Sequence, residues 1–124
     1  DGTLYATVKT SYDTEGMPLV ACLIRRPNHK WDHLYSVDDE GSRGIIVLDE
    51  SLKAFYVIYT SYRDSTIVMR SSSTDSIGFS DRKVLMRGRR INNVSSTRQI
   101  VSDGFPLVAS QGDSLMHTAV VTTK

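Results

Sequence analysis

The sequence predicts an all-β chain assembled from repeated four-stranded antiparallel units, and three observations carry that prediction. Apolar residues come in short runs rich in β-branched and aromatic types, each bounded by Gly, Asp, Asn, Ser or Pro, the pattern of strands and turns. No segment keeps the i, i+3, i+4, i+7 apolar spacing of a helix over about ten positions. The chain also repeats itself at a spacing of about 50 residues.

The elements follow in order. Residues 3–11, TLYATVKTS, alternate Leu4, Ala6 and Val8 with Tyr5, Thr7 and Lys9, the period of two of a strand whose faces differ in burial. PLVACLIRR, IIVLDE, AFYVIYTS, TIVMRS, KVLM, TRQIV, PLVAS and LMHTAVV continue the series. The middle of the chain reads as one complete unit with strands at 44–49, 54–61, 66–71 and 82–86. Residues 3–36 then supply the last three strands of a preceding unit, and 94–121 the first three of a following one.

The repeat joins these units. Thr10-Ser11-Tyr12 recurs as Thr60-Ser61-Tyr62, a shift of 50. Around it YATVKTSYD matches YVIYTSYRD, and CLIRRPNHKWDHLYSV matches IVMRSSSTDSIGFSDRKVLM, which sets Trp31 near Phe79. A fainter third copy pairs FPLVASQGDSLMHTAVV with AFYVIYTSYRDSTIVMRSS, placing Asp113-Ser114 against Asp64-Ser65 at a shift of 49. A unit of about 45 to 50 residues holding four strands is the signature of a β-propeller blade. The expected fold is a β-propeller segment in one unit, 1–124: a partial blade at 1–37, a full blade at 43–86 and a partial blade at 92–121. About two and a half blades form an incomplete ring, because closed propellers have ~4–8. Such a segment leaves open strand edges, to be covered by self-association, by another propeller-completing chain or by further sequence. The chain lacks an initiator methionine and reads as a processed chain or a piece of something longer.

Composition narrows the function. Of 124 residues, 40% are hydrophobic and 23% charged, enough apolar side chains for a packed core. Fifteen Lys and Arg against fourteen Asp and Glu leave a net charge of +1, so no whole-chain field recruits nucleic acid or an anionic membrane, and neither is an expected partner. No apolar run approaches the ~20 residues that span a bilayer, and DGTLYATVK lacks the basic and apolar regions of a signal peptide. Cys22 is the only cysteine; inside PLVACLIRR it reads as a small buried hydrophobe. No cofactor or metal is expected. His29 and His33 have the spacing of a helical zinc pair, but beside Pro27, in a turn leading into a strand, that spacing does not bring them together.

STDSIGFS, residues 73–80, resembles a degenerate Asp-box, the S-x-D-x-G-x-[ST]-[WF] turn between the third and fourth strands of sialidase-type blades, also called the BNR repeat. Ser73, Asp75 and Gly78 carry the pattern, with one extra residue before the glycine and Phe79 at the aromatic position. RPNHKW, 26–31, keeps the turn and its aromatic. Through these turns and its strand pattern the chain resembles the sialidase-like, BNR (Asp-box) β-propeller superfamily. In such a turn Asp and Ser bond the loop backbone, glycine supplies a positive φ and the aromatic fills the gap between blades, a structural role. The resemblance implies a secreted, carbohydrate-recognising module, extracellular or periplasmic, whose ligand face lies at the end opposite this turn.

That face carries the loops joining second to third strands and one blade to the next. They bring there Tyr12, Asp13 and Glu15; Tyr62, Arg63 and Asp64; Gln111 and Asp113; and the junctions DDEGSRG, 38–44, and RGRRINN, 87–93. Arg43 near the start of one inner strand and Arg98 within another are expected to point into a central channel. The candidate ligand-binding residues are Tyr12, Asp13, Arg43, Tyr62, Arg63, Asn92, Asn93 and Arg98. Tyr faces stack on sugar rings, while Arg, Asp and Asn bond hydroxyls and carboxylates. The expected partner is a glycan, an acidic polysaccharide where Arg43, Arg89 or Arg90 meets it. The plainer reading is that charged, tyrosine-bearing loops face water on any such domain.

No catalytic residue is assigned. The resemblance implies an arginine trio, a Tyr nucleophile with a Glu base and an acidic proton donor, and these do not map onto the chain; Tyr12 with Glu15 is the one suggestive pair. A rival reading is a scaffold for protein-protein contact through the open blade edges, and another is part of a glycoside hydrolase or polysaccharide lyase completed by a second chain. RGRR, 87–90, has no interleaved aromatic to stack bases and reads as a solvated loop. Asn93-Val94-Ser95 fits the glycosylation acceptor pattern of secreted eukaryotic proteins.

Overall fold

The computed structural model describes residues 1–123, which form ten strands and, among them, no helix. The strands are β1 Leu4–Lys9, β2 Val20–Arg25, β3 Tyr35–Asp38, β4 Ser42–Asp49, β5 Ala54–Ser61, β6 Thr66–Ser73, β7 Lys83–Arg87, β8 Ile91–Ser96, β9 Gly104–Gln111 and β10 Leu115–Thr122. They pair antiparallel in three sheets, β1-β2-β3, β4-β5-β6-β7 and β10-β9-β8. The arrangement is open.

Burial explains why these segments are strands. The central strand β5 is buried on both faces, with Phe55, Val57 and Tyr59 packing toward the first sheet and Tyr56 and Ile58 toward the third. The continuous apolar run AFYVIY is thus two alternating faces, each with a core of its own. Cys22 sits in the first core between Val20 and Ile24, and burial pushes its thiol up to about 11.

The two sheet-to-sheet contacts repeat. Tyr5 meets Phe55 at a ring separation of 5.1 Å, and Tyr56 meets Phe105 at 5.4 Å. Setting Tyr5 against Tyr56 is a shift of 51, whereas the Thr-Ser-Tyr match at 50 would align Tyr5 with Phe55, on the opposite face. A slip of one residue inverts a strand, so the Thr-Ser-Tyr match does not set the strand register. Its first copy, Thr10 to Tyr12, lies in a loop, whereas Thr60 and Ser61 end β5.

A second repeat lies at the starts of β4 and β8. Each strand carries an irregularity of pairing, between Ser42 and Ile45 in β4 and between Asn92 and Ser95 in β8. Ser42 pairs with Thr60, as Asn92 pairs with Ser110. Within the bulges Arg43 and Asn93 have φ of 54° and 53°. Bulges of this kind re-aim a side chain.

Several expected boundaries move. β8 begins at Ile91, so Asn92 and Asn93 belong to a strand rather than a junction loop; the buried Ile91 side chain anchors it in the core. TRQIV is not a strand. Residues 97–103 connect β8 to β9, with Ile100 turned to solvent and Val101 alone reaching the core. Arg98 therefore lies in this loop and not within an inner strand.

In the turn between β6 and β7, Gly78 does not have a positive φ, and a Cβ there would meet nothing within 4 Å. Ser72 and Ser73 close the turn instead: the Gly78 amide donates to Ser72 Oγ at 3.0 Å and the Asp75 amide to Ser73 Oγ at 3.1 Å. Phe79 does pack as an aromatic plug, edge-on to Phe55 at 5.7 Å. Trp31, at the corresponding turn of the first sheet, is 54% exposed.

Candidate functional site

Antiparallel pairing brings five connections to one end of the strands: 10–19, 39–41, 62–65, 88–90 and 112–114. The connections 26–34, 50–53, 74–82 and 97–103 lie at the other. Of the eight candidate residues, Arg98 alone falls at the second end, beside Glu50 and Ile46 in a groove of its own.

At the first end two polar groups are built. The first sits where β4 and β8 begin. An Arg43 guanidinium N–H donates to Asn93 Oδ1, joining the two bulged positions across neighbouring sheets. Asn93 Nδ2 reaches Ser110 Oγ at 3.3 Å, while Asn92 Oδ1 accepts from Thr60 Oγ1 at 3.0 Å and from the Asn93 amide at 2.9 Å. Arg43 and Asn93 remain exposed. Tyr62 lies alongside, 55% exposed, over a cavity of about 230 Å³ lined by Ser61, Ser65, Arg90, Ile91 and Asn92.

The second group escaped sequence reading. Asp38 and Glu40, both nearly buried, flank the short connection from β3 to β4. The Tyr59 hydroxyl donates to Asp38 and the Ser61 hydroxyl to Glu40. Arg82 bonds Asp64 at 2.7 Å and Glu40 at 3.3 Å and lies 3.7 Å from Asp38; Arg70 stands 3.6 Å from Asp38 on another side. Burial opposes the charge of Asp38, but the Tyr59 hydroxyl, the Glu40 amide and Arg70 outweigh it and lower its pKa. Burial, with the hydrogen bond to Asp38, raises that of Tyr59. The cluster fastens the first sheet to the central one, two guanidinium groups against three carboxylates, with Arg70 Nε buried and, among the described residues, left without a hydrogen-bond partner.

Tyr12 and Asp13 stand apart, in the 10–19 loop over a shallow hollow shared with Glu15 and Asp39. Among the described residues no hydrogen bond joins Tyr12 to Glu15, so the suggestive pair is not assembled. Arg63 is exposed in the β5–β6 turn. His29 and His33 have other partners, Arg25 at 2.6 Å and the Tyr35 ring at 4.3 Å. No described helix is long and apolar enough to cross a membrane.

The chain matches no family model, no curated protein and no solved structure.

Proposed function

We propose that the chain is a segment of a sialidase/BNR-like β-propeller, acting outside the cytoplasm, and that it recognises a carbohydrate at the end carrying Arg43, Tyr62, Asn92 and Asn93. The observation that carries the reading is the pair Arg43 and Asn93. They hold the same bulged position in consecutive units, share a positive φ and meet side chain to side chain. Positions of that kind, one per blade, line the mouth of a propeller channel, where loops and inner strands present ligand groups. Their chemistry suits a sugar: a guanidinium fork, two side-chain amides and a flat phenol ring beside them. The repeated Tyr5–Phe55 and Tyr56–Phe105 contacts support the blade arrangement. The test is a glycan array probed with the wild type, Arg43→Ala and Tyr62→Ala. Binding to a defined set of glycans, lost in both variants, is expected; absence of any glycan bound by the wild type overturns the reading.

A scaffold role has its own observation. The outward side of the third sheet exposes Met116 at 68% and Val120 at 75%, apolar surface of the kind another sheet covers. Light scattering separates the readings: a stable oligomer that binds no glycan favours the scaffold.

A further inference from the structure

The cavity beneath Tyr62 has features that general carbohydrate recognition does not require. Its walls are the turn 62–65, between β5 and β6, and the turn 88–91, which leads from β7 into the third sheet. The Gly88 amide donates to the Ser65 carbonyl at 3.2 Å and ties the two turns, and the Ile91 amide donates to the Gly88 carbonyl at 3.0 Å and closes the second turn on itself. Gly88 itself is wedged under the third sheet, where an added Cβ would stand 2.5 Å from Gln111 Oε1 and 3.2 Å from His117 Nε2. The cavity is therefore formed before any ligand arrives. Ser65 and Arg90, which both line it, hold a positive φ, 52° and 58°. A non-glycine residue in that region costs ~1–3 kcal/mol and persists where the surrounding structure enforces it, often at ligand sites.

The charge around the cavity is one-sided. Arg63, Arg87, Arg89 and Arg90 lie in or beside its two turns, all exposed, and among the described residues none has a carboxylate partner. The one carboxylate in these turns, Asp64, is taken by Arg82. At about 230 Å³ the space is smaller than the ~300–1,000 Å³ clefts of drug-sized ligands and suits a single ring.

We propose that this cavity is a subsite for one anionic sugar ring, a hexuronate or a sulfated hexose, resting on the carbohydrate reading above. The ring lies on the exposed phenol face of Tyr62. Its anionic group is met by the Arg90 guanidinium, and Asn92, held in place by Thr60 and the Asn93 amide, orders the ring hydroxyls. Arg63 and Arg89 add a field that steers the anion in, so affinity falls as salt rises.

The test is calorimetric or NMR titration of the whole chain with sodium glucuronate, glucose 6-sulfate, glucose and sodium sulfate. Arg90→Asn removes the charge with a residue that tolerates positive φ, and Tyr62→Phe keeps the ring where Tyr62→Ala deletes it. Expected are binding of one or both anionic sugars, a loss of about tenfold or more in Arg90→Asn and Tyr62→Ala, and near-normal binding in Tyr62→Phe. Glucose bound as tightly as the anionic sugars, or anionic binding indifferent to both Arg90→Asn and Tyr62→Ala, overturns the subsite and leaves the carbohydrate reading standing. Free sulfate bound as tightly as glucose 6-sulfate overturns a sugar subsite in favour of a simple anion site. Failure of every sugar, neutral or charged, overturns the subsite, and the glycan array alone decides the carbohydrate reading.

Discussion

Replacing Arg82 by methionine isolates the buried cluster between the first two sheets. Methionine keeps the aliphatic stem and removes the cation that lies within 3.7 Å of Asp38, 3.3 Å of Glu40 and 2.7 Å of Asp64. Asp38 retains Tyr59 and Arg70, but Glu40 is left with Ser61 as its side-chain partner. Orphaning a fully buried charge costs about 3–5 kcal/mol. Arg82 is 24% exposed and Asp64 is well solvated, which discounts the figure to about 2–3 kcal/mol. The corresponding fall in Tm is roughly 10 °C. Urea unfolding at pH 7 is the assay. Glu40→Gln in the same background should recover part of the loss, because it removes the carboxylate left with Ser61 alone. A loss under about 0.5 kcal/mol at pH 7, or no recovery in Glu40→Gln, would refute the assignment of this cluster as an ion-paired clasp.

Three further outcomes follow from the packing. Ile58→Ala, at a fully buried position facing the third sheet, should cost about 3 kcal/mol in denaturant unfolding; a loss below about 1 kcal/mol contradicts the two-faced burial of β5. Gly41→Ala should be strongly destabilising, because φ is +114° and the new Cβ would stand 2.7 Å from the Tyr59 ring and 3.0 Å from the Thr60 carbonyl; Gly78→Ala, in open space, should be close to neutral, and equal costs would sink the distinction. Asp38 and Asp32 both titrate below the ordinary carboxylate range in the folded chain, Asp32 at about 2 through its hydrogen bonds to Arg26 and Tyr35. Their contribution is whole above the unfolded value of ~3.9 and disappears as pH falls through the folded values. Stability should therefore drop between about pH 4 and pH 2, and a flat profile there counts against both assignments.

How far the sequence carried the fold depends on what each residue faces. The strands of the central sheet were legible because AFYVIY and TIVM are buried on both sides, so nearly every residue is apolar and the turns stand out. TRQIV misled because its β-branched residues mimic a strand, while the decisive fact, that Ile100 faces water, is set by tertiary structure. Repeat spacing located the units but not their register, since a loop copy of Thr-Ser-Tyr resembles a strand copy. Glycine in the 73–80 turn suggested a positive φ, yet flanking serines closed the turn without one.

The candidate site was legible in part for a related reason. Arg43 and Asn93 stand 50 residues apart, the period of the repeat, so reading the units together placed them at one end. The cluster of Asp38, Glu40, Tyr59 and Arg82 has no such signature: its members occupy different positions of two units and are joined by ion pairs that span up to 44 residues in sequence. Positive φ at Arg43, Ser65 and Arg90 is likewise invisible in residue type, because none is glycine or asparagine.

The central claim, that one end of the strands recognises carbohydrate while the other is structural, is tested most directly by an amide shift map of the labelled chain titrated with an array-selected glycan. The account predicts changes concentrated at residues 39–44, 62–65 and 88–93. Changes centred on 50–53, 74–82 or 97–103 would contradict it.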